Sequence, residues 1–161
     1  MILYYYAHVQ SHIQYGIEIY GLTAKTHLLP LDSIINKSVQ VMTFMNYVDH
    51  VSPTRVKLGI PNFKVLFYRS IADKMFRIIN KVGHAHNSFE FGTTTGTRSL
   101  RSNVDCVRLK HKKIRTNLGK NSFDFTGCQI WNFIPYEYKQ VNHLVFKKHM
   151  KFSINWDNLK L

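Results

Sequence analysis

The sequence predicts a mainly α-helical fold: a bundle of about three N-terminal helices plus C-terminal helices, with a small β-hairpin in the second half. Three observations predict it. Apolar residues recur every three to four positions through residues 5–82, the spacing of one helix face. Hydrophobic residues make up 45% of 161, enough for a domain burying roughly 70% of its unfolded surface. Gly, Thr, His and Asn collect in residues 83–97, where a loop belongs.

Tyr5, Val9, Ile13 and Ile17 stand four apart and predict the inner face of a first helix. Gly21 stops it in the position of a C-terminal cap. No Ser, Thr, Asp or Asn precedes Ile2, so the chain is expected to open inside an element, as a fragment would. Gly16 sits within this helix at a cost of about 1 kcal/mol relative to Ala, which predicts close approach by another helix.

A second helix is expected from about Pro30 to Asn46, with Pro30 in its first turn. Leu31, Ile35, Val39 and Met42 form its stripe, widened by Ile34, Val41 and Met45. Ser52-Pro53 opens a short turn ending near Gly59. A third helix follows Pro61 and runs to about Val82. Phe63, Phe67, Ile71, Ile78 and Val82 face inward, and Arg69, Asp73 and Arg77 stand four apart on the other side, where they can pair.

Beyond the loop, Ile114 to Leu118 and Phe123 to Phe125 flank Gly119-Lys120-Asn121-Ser122, which reads as a hairpin. Thr126 to Gln129 reads as a capping box opening a helix that carries Trp131 and closes at Pro135. Asn142 caps a last helix, with Phe146, Met150 and Ile154 buried and Lys147, Lys148 and Lys151 exposed. The expected organisation is thus a helical segment over 1–82, a loop over 83–97, and a basic hairpin and helical segment over 98–161, sharing one core.

Two cysteines, Cys106 and Cys128, are too few for a disulfide framework. Met1 to Ala7 lacks the basic region of a secretory signal. The expected location is intracellular, nuclear or cytoplasmic, and not secreted, so the acceptor Asn36-Lys37-Ser38 should go unused. No run approaches 18 apolar residues, so no membrane span is expected.

Catalytic and metal signatures are weak. His8 and His12 lie four apart, but Val9 stands where a zinc protease needs Glu. Cys106 with His111, and Cys128 with His149, match no zinc spacing. Gly119-Lys120-Asn121-Ser122 imitates a phosphate loop, but Ile114 replaces its first Gly and Asn121 its Ser or Thr. The nine carboxylates are scattered, whereas two-metal chemistry needs them clustered. No metal, cofactor or catalytic residue is expected.

Charge is the strongest signal. Lys and Arg number 22 against 9 Asp and Glu, a net charge of +13. Residues 83–161 hold 13 of these cations and 5 acids, and Arg98 to Lys120 hold eight cations and one acid, Asp105. Arg98, Arg101, Arg108, Lys110, Lys112, Lys113, Arg115 and Lys120 would neutralise phosphates and release counterions without reading bases. Phe123, Phe125 and Trp131 follow closely and can stack on bases. A solvated basic face beside a core Trp is the simpler account, and an acidic protein or a membrane surface is a third.

Tyr4-Tyr5 through Tyr15-Gly16-Ile17-Glu18-Ile19-Tyr20-Gly21 resembles the "YY…HP.L.YG.E.WG" segment of LINE-type (non-LTR) retrotransposon reverse transcriptases, which lies after the palm. Leu31 to Thr43 with His50-Val51-Ser52-Pro53 resembles the segment that follows it there. Thr97-Arg98 resembles the family's "TR". Arg115-Thr116, Gly119, Ser122, Phe123, Gly127 and Trp131-Asn132 to Pro135 resemble "RT..G..S..Y.G..LWN.LP". Phe146-Lys147-Lys148 to Lys151 resembles its closing "FK..LK". Order and spacing hold over nearly the whole chain. Tyr20 stands where the family has Trp, Ser11 where it has Pro, Val41 or a neighbour where it has Arg, and Cys128 where it has the Pro of "GP".

The resemblance implies thumb-like helices and a C-terminal extension that grip nucleic acid beside a palm. It implies packing roles for Tyr15, Gly16, Gly21, Gly119, Gly127, Trp131, Asn132 and Pro135. The family's "YADD"-like aspartates and endonuclease motifs have no match here, so no catalytic residue carries over. The implied partners are RNA or DNA backbone and a reverse transcriptase palm, with no membrane partner. The alternatives are a protein-interaction module and a translated relic with no selected activity.

Overall fold

The computed structural model describes residues 1–82, 92–93, 109–110 and 113–159, with backbone alone at 92, 93 and 110. The protein is mainly helical, as predicted. It divides into two compact units, Met1–Ser70 and Ile71–Leu161.

The first unit opens with α1 (Ile2–Tyr4), a π-helical stretch (Tyr5–Gln10) and α2 (Ser11–Gln14). Tyr5 and Ile13 are buried on one side of this run, and Val9 is half-buried. The predicted helix does not continue through Gly16. Tyr15 is extended, and Gly16 takes a left-handed φ of 68°, which glycine adopts without the steric cost a side chain brings. The chain then re-enters helix in α3 (Ile17–Tyr20), where the Tyr20 hydroxyl donates back to the Ile13 carbonyl.

Nothing lies within 4 Å of a Cβ built on Gly16. The close approach is at Gly21 instead, where an added Cβ would stand 2.4 Å from Phe67 Cδ2. Gly16 is therefore kept for its backbone angle and Gly21 for space.

The second long helix, α4, spans Lys25–Thr43 and places Pro30 inside it, not in its first turn. Pro30 leaves the Thr26 carbonyl without its usual donor, but both residues are exposed, so water can satisfy it. Ile35 and Val39 are fully buried, while the widening residues Ile34 and Val41 stay exposed. The helix ends at Phe44 in the left-handed region. Next comes α5 (Ser52–Lys57), whose Arg55 Nη1 donates to Asn36 Oδ1 at 3.0 Å.

Helix α6 (Phe63–Ile79) runs through the boundary between the units. In the first unit Asp32 Oδ1 accepts from the Phe63 N–H at 3.0 Å, and Ser70 Oγ donates to Glu18 Oε1 at 3.0 Å. Phe63, Phe67, Ile71 and Ile78 are buried as predicted, whereas Val82 lies beyond the helix and is exposed.

The second unit continues with α7 (Asn117–Lys120), α8 (Phe123–Phe133), α9 (Tyr136–Lys139), α10 (His143–Phe152) and a short 3₁₀ turn (Trp156–Asn158). Its core gathers Met75, Phe76, Ile130, Trp131, Phe146, Met150 and Trp156. The Phe76 ring lies 4.4 Å from Phe146 and 6.4 Å from Trp131, centroid to centroid. Trp156 Nε1 donates to the Met150 carbonyl at 2.9 Å, so the last turn is held by its indole.

The hairpin predicted over residues 114–125 is absent; helices α7 and α8 occupy it. Two hydroxyls decide this. Thr116 Oγ1 accepts from the Gly119 N–H at 3.2 Å and Ser122 Oγ from the Phe125 N–H at 3.4 Å, each opening a helix where a strand was expected. The helix carrying Trp131 thus begins one turn before the expected capping box. Thr126 sits buried within it, and its hydroxyl donates to the Lys120 carbonyl at 3.2 Å. Elsewhere a two-residue antiparallel pair joins Gly92–Thr93 (β1) to Leu109–Lys110 (β2), with Thr93 opposite Leu109.

Candidate nucleic-acid interface

The candidate surface comprises two exposed basic stretches of the second unit, the turn before α8 and the outer face of α10. Around α7 the chain folds tightly over Ile114. A Cβ on Gly119 would lie 2.3 Å from Ile114 Cγ2, so glycine is what lets the turn close. With Thr116 capping, the turn carries Lys113, Arg115 and Lys120, all exposed. The Thr126 hydroxyl on the Lys120 carbonyl ties the turn to α8.

Helix α10 is opened by Asn142, whose Oδ1 accepts from the Leu144 N–H at 3.3 Å, as predicted. Phe146 and Met150 are buried, which turns Lys147, Lys148 and Lys151 outward into solvent. Ile154, expected on the buried stripe, falls beyond the helix and is half-buried. Lys147 also reaches Asp73 Oδ1 at 3.6 Å. The same carboxylate holds His143 Nε2 at 2.6 Å and Arg77 at 3.0 Å.

Of the eight predicted phosphate contacts, Arg98, Arg101, Arg108 and Lys112 lie outside the described residues, as do the Lys110 side chain, Thr97 and Cys106. Lys113, Arg115 and Lys120 are exposed. Lys147, Lys148 and Lys151, predicted as the exposed face of the last helix and not among the eight phosphate contacts, are exposed too, and residues 143–152 contain no Asp or Glu.

The predicted stacking role of Trp131 fails. The ring is 4% exposed and packs against Phe76 and Phe146, with Lys139 Nζ 5.2 Å from its centroid. Phe123 and Phe125 are half-buried. Gly127 has a packing role, since an added Cβ would come within 2.7 Å of Met75 Sδ. Asn132 binds the Leu109 backbone. Tyr15 is 85% exposed and Pro135 is exposed, so neither packs into a core.

His8 and His12 are both exposed, and the His8 ring lies tilted against Tyr4 with centroids 4.3 Å apart. Among the described residues, no three His, Cys, Asp or Glu side chains gather in a way that could hold a metal ion. No described helix is long and apolar enough to cross a membrane. Burial pushes the Cys128 thiol up to about 11, with the Asp124 carboxylate adding to it. Such a thiol is a poor nucleophile at neutral pH.

The first unit has a different surface. An apolar cleft of about 300 Å³ is lined by Tyr4, Tyr5, Val9, Ile34, Val41 and Met42, with Lys37 and Ser38 at its polar side. No protein-family model matches the chain, and neither does any curated protein or solved structure.

Proposed function

We propose that the chain is the post-palm region of a LINE-type reverse transcriptase, and that it grips nucleic-acid backbone without catalysis of its own. The observation that carries this reading is the array of exposed cations at Lys113, Arg115, Lys120, Lys147, Lys148 and Lys151 in a chain of net charge +13. The ordered family-like strings supply the parent. Backbone contacts of this kind position a nucleic acid and carry little sequence preference.

Fluorescence anisotropy of the full chain against labelled RNA and DNA, titrated over a salt series, tests it. Log K should fall linearly with log salt. Each interface Lys→Gln change should lower the slope by about 0.7–0.9. A flat plot overturns the reading.

The apolar cleft favours a second reading, a protein-interaction module. Its rim residues Tyr4 and Val41 are exposed, and apolar rims mark protein contacts more often than nucleic-acid contacts. Sedimentation decides between them. Stable oligomers indifferent to RNA and DNA would favour the module.

A further inference from the structure

We infer that the nucleic acid held by this chain is single-stranded, and that Phe152 at the end of α10 is the platform on which one of its bases stacks. The inference rests on the backbone-binding reading above and goes further by naming the form of the ligand.

Phe146 and Met150 anchor α10 in the core, so the opposite side faces solvent. On that side Leu144, Lys148 and Phe152 follow one another at four-residue steps, which places them along one ridge. Lys147 and Lys151 form the neighbouring ridge by the same spacing. No carboxylate lies on the helix.

Phe152 is 72% exposed; Phe44 and Tyr47 are exposed as well, but Phe152 is the exposed ring that α10 carries beside its lysines. Lys151 Nζ lies 5.1 Å from its ring centroid, which adds a cation to the platform. An exposed ring flanked by cations offers two contacts at once: a π-face for a base and ammonium groups for the phosphates beside it. A duplex hides its base faces in the stack and could use only the lysines. A single strand uses both. Of the platforms expected from sequence, Trp131 is buried and Phe123 and Phe125 are half-buried, which leaves Phe152 as the exposed ring beside the α10 lysines.

The test uses the full chain, a labelled oligo(dT) strand, and the same strand annealed to oligo(dA), compared by anisotropy at one salt concentration. The single strand should bind more tightly than the duplex. Phe152→Ala should weaken single-strand binding roughly 5- to 20-fold and change duplex binding less than about 2-fold. Phe152→Trp should bind the single strand at least as tightly as the unaltered chain. Thermal melts of both variants should match it, because the ring packs into no core.

Two outcomes overturn the inference while leaving backbone binding intact: Phe152→Ala without effect on the single strand, or an equal loss for both forms. Failure of the unaltered chain to bind either form at low salt overturns the inference and the underlying reading together.

Discussion

Asn132 clasps the backbone of Leu109 with both ends of its amide. Its Oδ1 accepts from the Leu109 N–H, and its Nδ2 donates to the Leu109 carbonyl, both at 2.9 Å. Leu109 is itself buried, and it pairs with Thr93 in the short antiparallel ladder. One side chain of α8 therefore holds the Leu109 backbone in place.

Asn132→Ala leaves a buried N–H and C=O without these partners, at about 1–3 kcal/mol. Asn132→Asp keeps the acceptor but turns an oxygen on the Leu109 carbonyl, so it should recover less than half of that loss. Urea denaturation gives the cost. Hydrogen exchange at the Leu109 amide should accelerate in both variants, and unchanged exchange would refute the clasp.

Two glycines make opposite demands on their neighbours. At Gly127 an added Cβ would meet Met75 Sδ at 2.7 Å, the far part of a flexible side chain. At Gly21 it would meet the Phe67 ring at 2.4 Å and the Ile17 carbonyl at 2.5 Å, neither of which can step aside. Gly21→Ala should therefore cost about 3 kcal/mol, at the upper end for overpacking. Gly127→Ala should cost about 1 kcal/mol, because helix propensity offsets part of the strain. Chemical denaturation of the two variants should give that order.

The packing stripes were legible in the sequence because helix periodicity is local. Ile35, Val39, Phe63, Ile71 and Phe146 needed only their own neighbours to be placed. What was not legible depended on short polar contacts. Gly119-Lys120-Asn121-Ser122 has the composition of a hairpin turn, and only the Thr116 and Ser122 hydroxyls on backbone N–H groups make it a helix junction. Gly16 was readable as an anomaly but not as a left-handed break, since one residue's φ leaves no periodic trace. For the candidate surface, charge density singles out residues 98–120, most of which lie outside the described residues. The outward placement of Lys147, Lys148 and Lys151 was itself legible, because Phe146 and Met150 mark the buried side of α10 by spacing alone.

Alkaline pH should destabilise the protein. Burial raises the Tyr5 and Tyr68 phenols from 10.0 to about 12, and the Cys128 thiol from 9.0 to about 11. The folded state therefore keeps protons that the unfolded state releases. Their contribution is fully present below about pH 9 and is lost as pH rises toward 12. Urea midpoints measured through that window should fall steadily. In a Cys106→Ser background, Cys128 should react with a disulfide reagent only on unfolding, so its labelling rate should track the denaturation curve.

Tyr5 carries a separate expectation. Its hydroxyl is buried and finds no hydrogen-bond partner among the described residues. Removing an unsatisfied buried hydroxyl relieves its desolvation, so Tyr5→Phe should stabilise the protein by about 1 kcal/mol, seen as a higher Tm. A lower Tm would mean that the hydroxyl has a partner.

Asp73 links folding to the proposed binding. Its carboxylate holds Arg77, His143 and Lys147, and His143 in turn stacks on Phe76 with ring planes 16° apart. These contacts steady the start of α10 and, in the proposed reading, occupy cations that would otherwise face a phosphate. Asp73→Asn removes the charge while leaving an oxygen that can accept from His143. Stability should fall by about 1 kcal/mol, the scale of part-exposed ion pairs. Nucleic-acid affinity should rise roughly two- to fivefold at low salt, with the gain shrinking as salt is added. Asp157→Asn is the control, because it changes net charge equally at an exposed residue of the last turn. If both variants tighten binding alike, the gain belongs to overall charge. A gain confined to Asp73→Asn places Arg77 and Lys147 against the bound phosphates.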